Sequence, residues 1–245
     1  VRHALKLEQA AARANSLALL GQMSGALAHE IKNPLGIIRA AAERSQRATD
    51  PSERASASQY IIEEVDRLTR ITSNYLAVGS QHSTASEAID LGAVISDIVT
   101  SLSPETDRLG IKVTTNVVGS PRVPGNRLEL RQALFNLVLN AIQSQPAGGA
   151  IEIESRLERT GRQFLALILV RDHGSGISRS DLKHVFDPFY TTRAQGSGLG
   201  LFVVQRVVET LHGQVTIQSE PGTGTTVTVR LPAIMEAEST NARTQ

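Results

Sequence analysis

Two hydrophobic rhythms divide this chain, and the change between them constrains its fold more than any other feature. Up to about residue 80 the apolar residues recur at steps of three and four. Beyond the small polar stretch Gly79 to Ser86 (GSQHSTAS) they alternate over short runs broken by glycines. The first rhythm is that of helices packing on helices; the second mixes half-buried strands with helices. In the first part, Leu17, Leu20, Ser24, Leu27, Ile31, Pro34 and Ile38 form one seam along a helix read over Arg2 to Ser45. Pro34 falls inside that helix, removes a backbone donor and crowds the carbonyl of Glu30, so a kink is expected just after His29. Apolar spacing resumes at Leu35, Ile38 and Ala42, which argues that the helix continues. Turn residues at Thr49 to Ser52 lead into a second helix to about Val78, with a seam read at Ile61, Val65, Leu68, Thr72 and Tyr75.

Two such helices make an all-α hairpin with one apolar side and little to bury it against. A homodimer that completes a four-helix bundle is therefore expected for residues 1–80. The alternative is a monomeric hairpin folded onto the downstream domain. In that domain, helices are expected over Leu91 to Leu109, Asn126 to Ser144 and Leu199 to Leu211. Strands are expected over Ile111 to Val118, Ile151 to Leu157, Phe164 to Val170, Val215 to Gln218 and Thr225 to Leu231. Arg159 to Arg162 reads as a turn. This order predicts an α+β two-layer sandwich with helices on one face of a mixed sheet. The domain limits read as 1–80, a linker at 81–88, a second domain at 89–233, and a loose tail at 234–245.

Composition removes several classes of function. A formal net charge of +1, 3% aromatic residues and no Trp argue against nucleic-acid binding, which needs a basic face and stacking rings. The absence of cysteine leaves no disulfide framework, thiolate metal site or thiol nucleophile, in keeping with a reducing, cytoplasmic setting. No apolar run reaches the ~18 residues of a membrane span, and no signal peptide is visible. No membrane contact is expected within these residues. Because the chain opens on Val1, it reads as a fragment, with room upstream for a sensor region or a membrane anchor in the full-length protein.

Several residues are not explained by packing. On a helical count at ~100° per residue, His29 lies opposite the apolar stripe and Asn33 lies about 40° from it, one turn on. By itself a histidine on a polar helix face is an ordinary solvated residue. Asn136 and Asn140 stack one turn apart among leucines, an arrangement able to offer amide oxygens to a hard cation. In RDHGSGIS, Asp172 ends an apolar strand, and Gly174 and Gly176 let backbone approach a flat ligand. GSGLGL (Gly196, Gly198, Leu199, Gly200) opens a helix, as in phosphate cradles, and a further glycine stretch runs from Gly222 to Thr225. FDPFYTTRAQ, which contains Arg193, suits a lid over a nucleotide. GSGLG lacks the strand and spacing of a dinucleotide fingerprint, no Walker A or protein-kinase catalytic-loop pattern occurs, and HEIKN has Asn33 where a zincin needs a second histidine.

Taken together and in this order, these stretches resemble the N, G1, F, G2 and G3 boxes of sensor histidine kinases of two-component systems. HEIKNP resembles their H box. The resemblance covers roughly residues 10 to 232 and is nearest the nitrogen-regulation-like branch. It implies ATP-dependent autophosphorylation of His29, with Glu30 as general base, then transfer to an aspartate of a response-regulator receiver domain. It further implies that Asn33 positions water when phosphate is removed from that regulator. The same resemblance implies that Asn140, with Asn136, holds Mg2+ and that Asp172 accepts from the adenine amine. Gly174, Gly176, Gly196, Gly198, Leu199, Gly200 and Thr225 would complete the nucleotide site, and Arg193 would approach the γ-phosphate. Gln143 stands where the family commonly has lysine, which leaves open which cation assists the phosphates there.

Two rival readings remain. The first is an ATP hydrolase like gyrase, the mismatch-repair ATPases or the heat-shock chaperone. Those resemble one another in a glutamate four residues before the metal-binding asparagine; here that position is Asn136, and an amide is no base. The second is a dimeric scaffold with a degenerate nucleotide site. The signal sensed, the identity of the regulator and the choice between transfer within or across the dimer are not written in these residues.

Overall fold

The computed structural model describes residues 25, 27–79, 87–119, 121–161, 163–193 and 196–234. The chain divides into two compact units, residues 1–82 with 193–199, and residues 83–192 with 200–245. In the first unit, α1 runs over 27–47 and passes through Pro34 without interruption; the part of the expected first helix before residue 25 lies outside the described residues. The helix α2 spans Pro51–Gly79. The turn is tighter than expected, because Pro51 and Ser52 already belong to α2. Asp50 makes the start: Ser52 donates its amide to Asp50 Oδ1 at 3.0 Å and its hydroxyl to Oδ2 at 2.8 Å. Pro51 at the first helical position loses nothing by lacking an amide hydrogen.

The seam of α1 is largely as expected: Pro34 is buried, Leu27, Ile31 and Ile38 are half-buried, and His29 and Asn33 are exposed. On α2 the expected seam is half-buried at Ile61, Leu68 and Tyr75 but exposed at Val65 and Thr72, and the most deeply covered residues lie beside it. Ala57 and Ile71 are 1% and 3% exposed and Asn74 is 5% exposed, whereas Val65, expected in the seam, is 47% exposed. Tyr60, Ile62 and Val65 on α2, and Leu35 and Ile37 on α1, are left uncovered.

The second unit is the expected α+β sandwich. The order is β1 (Glu87–Asp90), α3 (Leu91–Leu109), β2 (Lys112–Val117), β3 (Arg122–Gly125), α4 (Arg127–Ser144), β4 (Ala150–Thr160), β5 (Gln163–Asp172), a short 3-10 turn (Asp181–Lys183), α5 (Gly200–Thr210), β6 (Gln214–Glu220) and β7 (Gly224–Pro232). The main sheet has the order β2-β4-β5-β7-β6 and is mixed: β2 and β4 are parallel and the other pairs antiparallel. Sequence reading missed β1 and β3, which pair with each other as a separate antiparallel ribbon. Both are only four residues long, below the length at which alternation can be counted. Glu87 and Ala88, assigned above to the linker, are strand residues. Ile234, assigned to the tail, donates its amide to Arg122 O at 2.7 Å.

The ends of both sandwich helices follow local chemistry. Asp90 caps α3 by accepting from the Ala93 amide at 3.1 Å, and Gly110 closes it in the left-handed conformation. Asn126 caps α4, accepting from the Leu128 amide at 2.8 Å. The hairpin of β4 and β5 is longer than expected, with pairing as far as Thr160 and Gln163. The stretch read as a four-residue turn therefore collapses around Gly161, whose φ is +62°. The core lies on one face of the sheet, where Ile95 and Ile98 of α3 and Leu134 and Val138 of α4 meet Ile153, Ile168 and Val170.

Candidate functional site

Strand register determines where the polar residues of the second unit point. Residues directly opposite each other on neighbouring strands share a face. Ile153, Val170 and Val227 form one inward row, and Ser155, Ile168 and Val229 the next. Two residues along, the same face carries Ile151, Asp172, Thr225 and Ser219. The last inward row of an apolar core is thus mostly polar. Asp172 is 6% exposed and Thr225 is 8% exposed. A carboxylate so placed needs donors. Asp172 Oδ1 accepts from the Gly174 amide at 2.9 Å and from the Thr225 amide at 3.3 Å. Both bonds fall on one oxygen, so Oδ2 is left to accept from a ligand.

Glycines hold the backbone against this row. At Gly176, with φ of +67°, a Cβ would collide with the Glu220 carbonyl oxygen, and at Gly174 it would collide with that of Ser144. Ser175 donates its amide to Ser144 O at 3.0 Å and Gly222 donates to Ser175 O at 2.7 Å, which joins the end of α4 to both glycine stretches. Sequence reading missed Ser219, the hub of this corner. It accepts from the Ile177 amide at 2.8 Å, donates to Gly224 O at 2.8 Å and contacts the Thr225 hydroxyl at 2.9 Å. The period-two count from Val215 and Ile217 would have placed it inward, which is the signal that could have found it.

On α4, Asn136 and Asn140 differ in their surroundings. Asn136 is 5% exposed; its oxygen lies 3.5 Å from Gln132 Nε2 and its amide donates to Gly200 O at 3.4 Å. Both are long, and the second ties α4 to the first residue of α5. Asn140 is half-buried, and a Cβ on Gly200 would sit 3.6 Å from its Nδ2. Asn140 is thus the less buried of the two amides. No cluster of three acidic, histidine or cysteine side chains able to hold a metal occurs among the described residues. The oxygen donors that Asn136 and Asn140 carry on this face of α4 are side-chain amides, which are hard donors.

The lid segment is part-held by its own side chains. Tyr190 donates to Asp181 Oδ1 at 2.7 Å, and His184 Nδ1 meets Asp187 Oδ2 at 2.7 Å. The Tyr190 bond holds the Asp181 carboxyl below the ordinary carboxylate range and pushes the tyrosine hydroxyl up. Phe189 has a φ of +66°, a conformation costly for a bulky residue. The glycine loop belongs to the first unit: Gly196 donates to Arg193 O at 3.1 Å, Gly198 has a φ of +64° and Leu199 is buried.

The histidine stretch also lies in that first unit. Asn33 Nδ2 is 3.4 Å from His29 Nδ1, so the face predicted from angular spacing is realised as a contact. Glu30 behaves differently from its exposed neighbour. It is half-buried, and burial pushes its carboxyl above the ordinary range, against the pull of the Arg67 guanidinium. Sequence reading missed Arg67, which lies on the covered face of α2 with Glu64, three residues before it.

Comparison with known proteins bears on both units. Residues 19–84 match the family described as His Kinase A (phospho-acceptor) domain. Residues 125–234 match the family described as histidine kinase-, DNA gyrase B-, and HSP90-like ATPase. The sensor histidine kinase ZraS of Escherichia coli (strain K12) is 34% identical over 223 residues, which are 90% of this chain and 47% of ZraS. The sensor protein DegM of Bacillus sp. (strain B21-2) is 31% identical over 218 residues, 89% of this chain and 56% of DegM. This chain thus spans about half the length of these relatives. The solved structure of histidine kinase ThkA in complex with the response regulator protein TrrA superposes with a TM-score of 0.73 at 25% identity. It covers 94% of this chain and 66% of that one. With a phospho-acceptor helical region followed by a mixed-sheet ATPase-like unit in one chain, this protein belongs to the sensor histidine kinases of two-component systems.

Proposed function

We propose that this chain transfers the γ-phosphoryl group of ATP to His29 and then passes it to an aspartate of a response-regulator receiver domain. The observation that carries the reading is the pair at the start of α1: an exposed histidine followed by a half-buried carboxylate whose proton affinity is raised. A base is most effective when its pKa approaches that of its partner, and burial moves Glu30 in that direction. Asn33 lies against Nδ1, so Nε2 is the ring nitrogen left to attack. Its lone pair is available when the ring proton is on Nδ1 and the Asn33 amide is turned to accept it. The phosphorus–nitrogen bond forms as the bond to the bridging oxygen of ADP breaks. Glu30 takes the ring proton, and ADP carries away the electron pair.

In the second unit, Asp172 Oδ2 would accept from the adenine amine, and Gly174, Gly176 and Thr225 would shape the base pocket. Asn140 would hold Mg2+, which neutralises charge on the phosphates when bound. Gly196, Gly198, Leu199 and Gly200 would line the phosphates with backbone, and Arg193 would approach the γ-phosphate. The match to the ATPase-like family supports ATP as the donor. Asn136 is an amide whose polar atoms are already engaged, which supports transfer over hydrolysis. The complex of ThkA with a response regulator supports the choice of partner.

Incubation with ATP and Mg2+ tests the proposal. We expect acid-labile, base-stable phosphate on the wild-type chain and none on His29→Gln. Equal labelling of the two would sink the assignment. We further propose that the chain removes phosphate from the same regulator, with Asn33 positioning the water. Asn33→Ala should lower that phosphatase rate at least about tenfold, as loss of one positioning group does. It should leave His29 labelling within about threefold of wild type.

A further inference from the structure

The hydroxyl of Ser219 has one proton to give, and its neighbours fix where that proton goes. Ser219 Oγ lies 2.8 Å from Gly224 O and 2.9 Å from Thr225 Oγ1, and it accepts from the Ile177 amide at 2.8 Å. A carbonyl carries no proton, so the contact with Gly224 O is a hydrogen bond only if Ser219 donates. That bond uses the single proton of Ser219. The contact with Thr225 therefore runs the other way, with Thr225 Oγ1 donating to Ser219 Oγ. One bond donated and two accepted complete the capacity of the Ser219 hydroxyl. Thr225 Oγ1, its proton directed at Ser219, keeps only lone pairs. Asp172 stands directly opposite Thr225 in the strand pairing, on the same inward row. Its Oδ1 accepts from the Gly174 and Thr225 amides, which leaves Oδ2 to accept from a ligand. The two side-chain oxygens that this corner offers, Asp172 Oδ2 and Thr225 Oγ1, are thus both acceptors, on residues only 6% and 8% exposed.

Resting on the reading that this corner receives the base of ATP, we infer that Ser219 is a positioning residue for nucleotide selection. It binds the one proton with which Thr225 could meet a 6-oxo purine, and so makes the corner selective for a 6-amino purine. An amino group brings protons to acceptors. A carbonyl oxygen in its place sets lone pairs against lone pairs, and a buried acceptor without a donor is costly. Asp172 Oδ2 has no proton to offer such a carbonyl. The Thr225 hydroxyl would have one if it were free to turn, and the bond to Ser219 holds it turned away. Ser219 need not touch the base to do this, because it acts through Thr225.

Calorimetric titration of the whole chain with ADP and with inosine diphosphate, each with Mg2+, tests this without any phosphoryl transfer. Inosine carries a 6-carbonyl in place of the 6-amino group of adenosine. Wild type should bind ADP the more tightly. In Ser219→Ala the Thr225 hydroxyl is free to turn, and the preference for ADP should fall about three- to tenfold, the effect of one neutral hydrogen bond. That substitution also strips partners from the Ile177 amide and the Gly224 carbonyl, which weakens both nucleotides alike and leaves their ratio unchanged. In Thr225→Val, which keeps those two bonds, ADP should weaken by about three- to tenfold and inosine diphosphate should stay within about twofold. Ser219→Ala added to Thr225→Val should not alter the ratio further, since no hydroxyl remains to turn. No preference in the wild type, an unchanged ratio in Ser219→Ala, or equal weakening of both nucleotides in Thr225→Val would each overturn the inference. So would a fall in the ratio that Ser219→Ala produces equally with and without the Thr225 hydroxyl. If the wild-type chain binds neither diphosphate, the nucleotide reading itself has failed, an outcome distinct from these.

Discussion

At the scale of single residues, the site is made by backbone approaching backbone where no side chain could fit. Gly176 and Gly222 both have positive φ, +67° and +77°, but only Gly176 faces a neighbour: its Cβ would meet the Glu220 carbonyl, while nothing lies within 4 Å of Gly222. Alanine at either position should cost about 1–2 kcal/mol for the left-handed backbone. Gly176→Ala should cost about 1–3 kcal/mol more for the overlap. Urea denaturation of the two variants measures the difference, and equal losses would show that close approach is not what Gly176 serves. The glycines and Asp172 were legible as residue types in RDHGSGIS. The backbone they approach was not, because it belongs to Ser144 and Glu220, about 30 and 45 residues away in the chain.

Elements carry their own start signals, and most of these were readable. The Asp50–Pro51 pair shows how local the information is. Ser52, through its backbone amide and then its hydroxyl, holds the Asp50 carboxyl below the ordinary carboxylate range. A depressed pKa in the folded state contributes stability above the unfolded-state pKa, and that contribution is lost as pH falls through the folded value. Asp50→Ala should therefore melt below wild type at neutral pH, and the gap should close as the pH is lowered below the ordinary carboxylate range. Asp50→Asn, which keeps an acceptor at the cap, should retain most of the wild-type melting temperature. A gap independent of pH would remove the charge from the explanation. The short strands β1 and β3 had no such signal. Four residues each, they exist because they pair with one another, and pairing is not a property of either segment.

Across the whole molecule the two units raise different questions. The sandwich buries its apolar residues within itself, with Leu91, Leu130, Ile151, Leu167 and Leu231 all below 2% exposed. The hairpin does not, since Leu35, Ile37, Tyr60, Ile62 and Val65 are each more than 40% exposed in the single chain. We therefore predict that the chain self-associates through these faces. The double variant Ile62→Arg, Val65→Arg should run as a monomer in light scattering at micromolar concentration, where the wild type runs as a dimer, and the ATP-binding unit should remain folded. A wild-type monomer would refute the four-helix bundle.

The sequence alone determined the helices of the sandwich and the five strands of its main sheet, because caps, turn glycines and apolar periods act within a few residues. It also determined that His29 shares a face with Asn33, because both sit on one helix of known pitch. Tertiary structure decided what those residues meet. On α2, Ile61, Leu68 and Tyr75 are covered as the apolar spacing predicts, but Glu64 and Arg67 are covered too, and Val65 is exposed. Helical periodicity gives the spacing of a stripe but not the partner that covers it, and Arg67 is covered with its opposite charge, Glu64, three residues before it on the same helix. Likewise, the inward turn of Asp172 follows from its register with Thr225 and Ser219 on two later strands. Long-range pairing of this kind is an energy of the assembled sheet, and no segment carries it before the sheet exists.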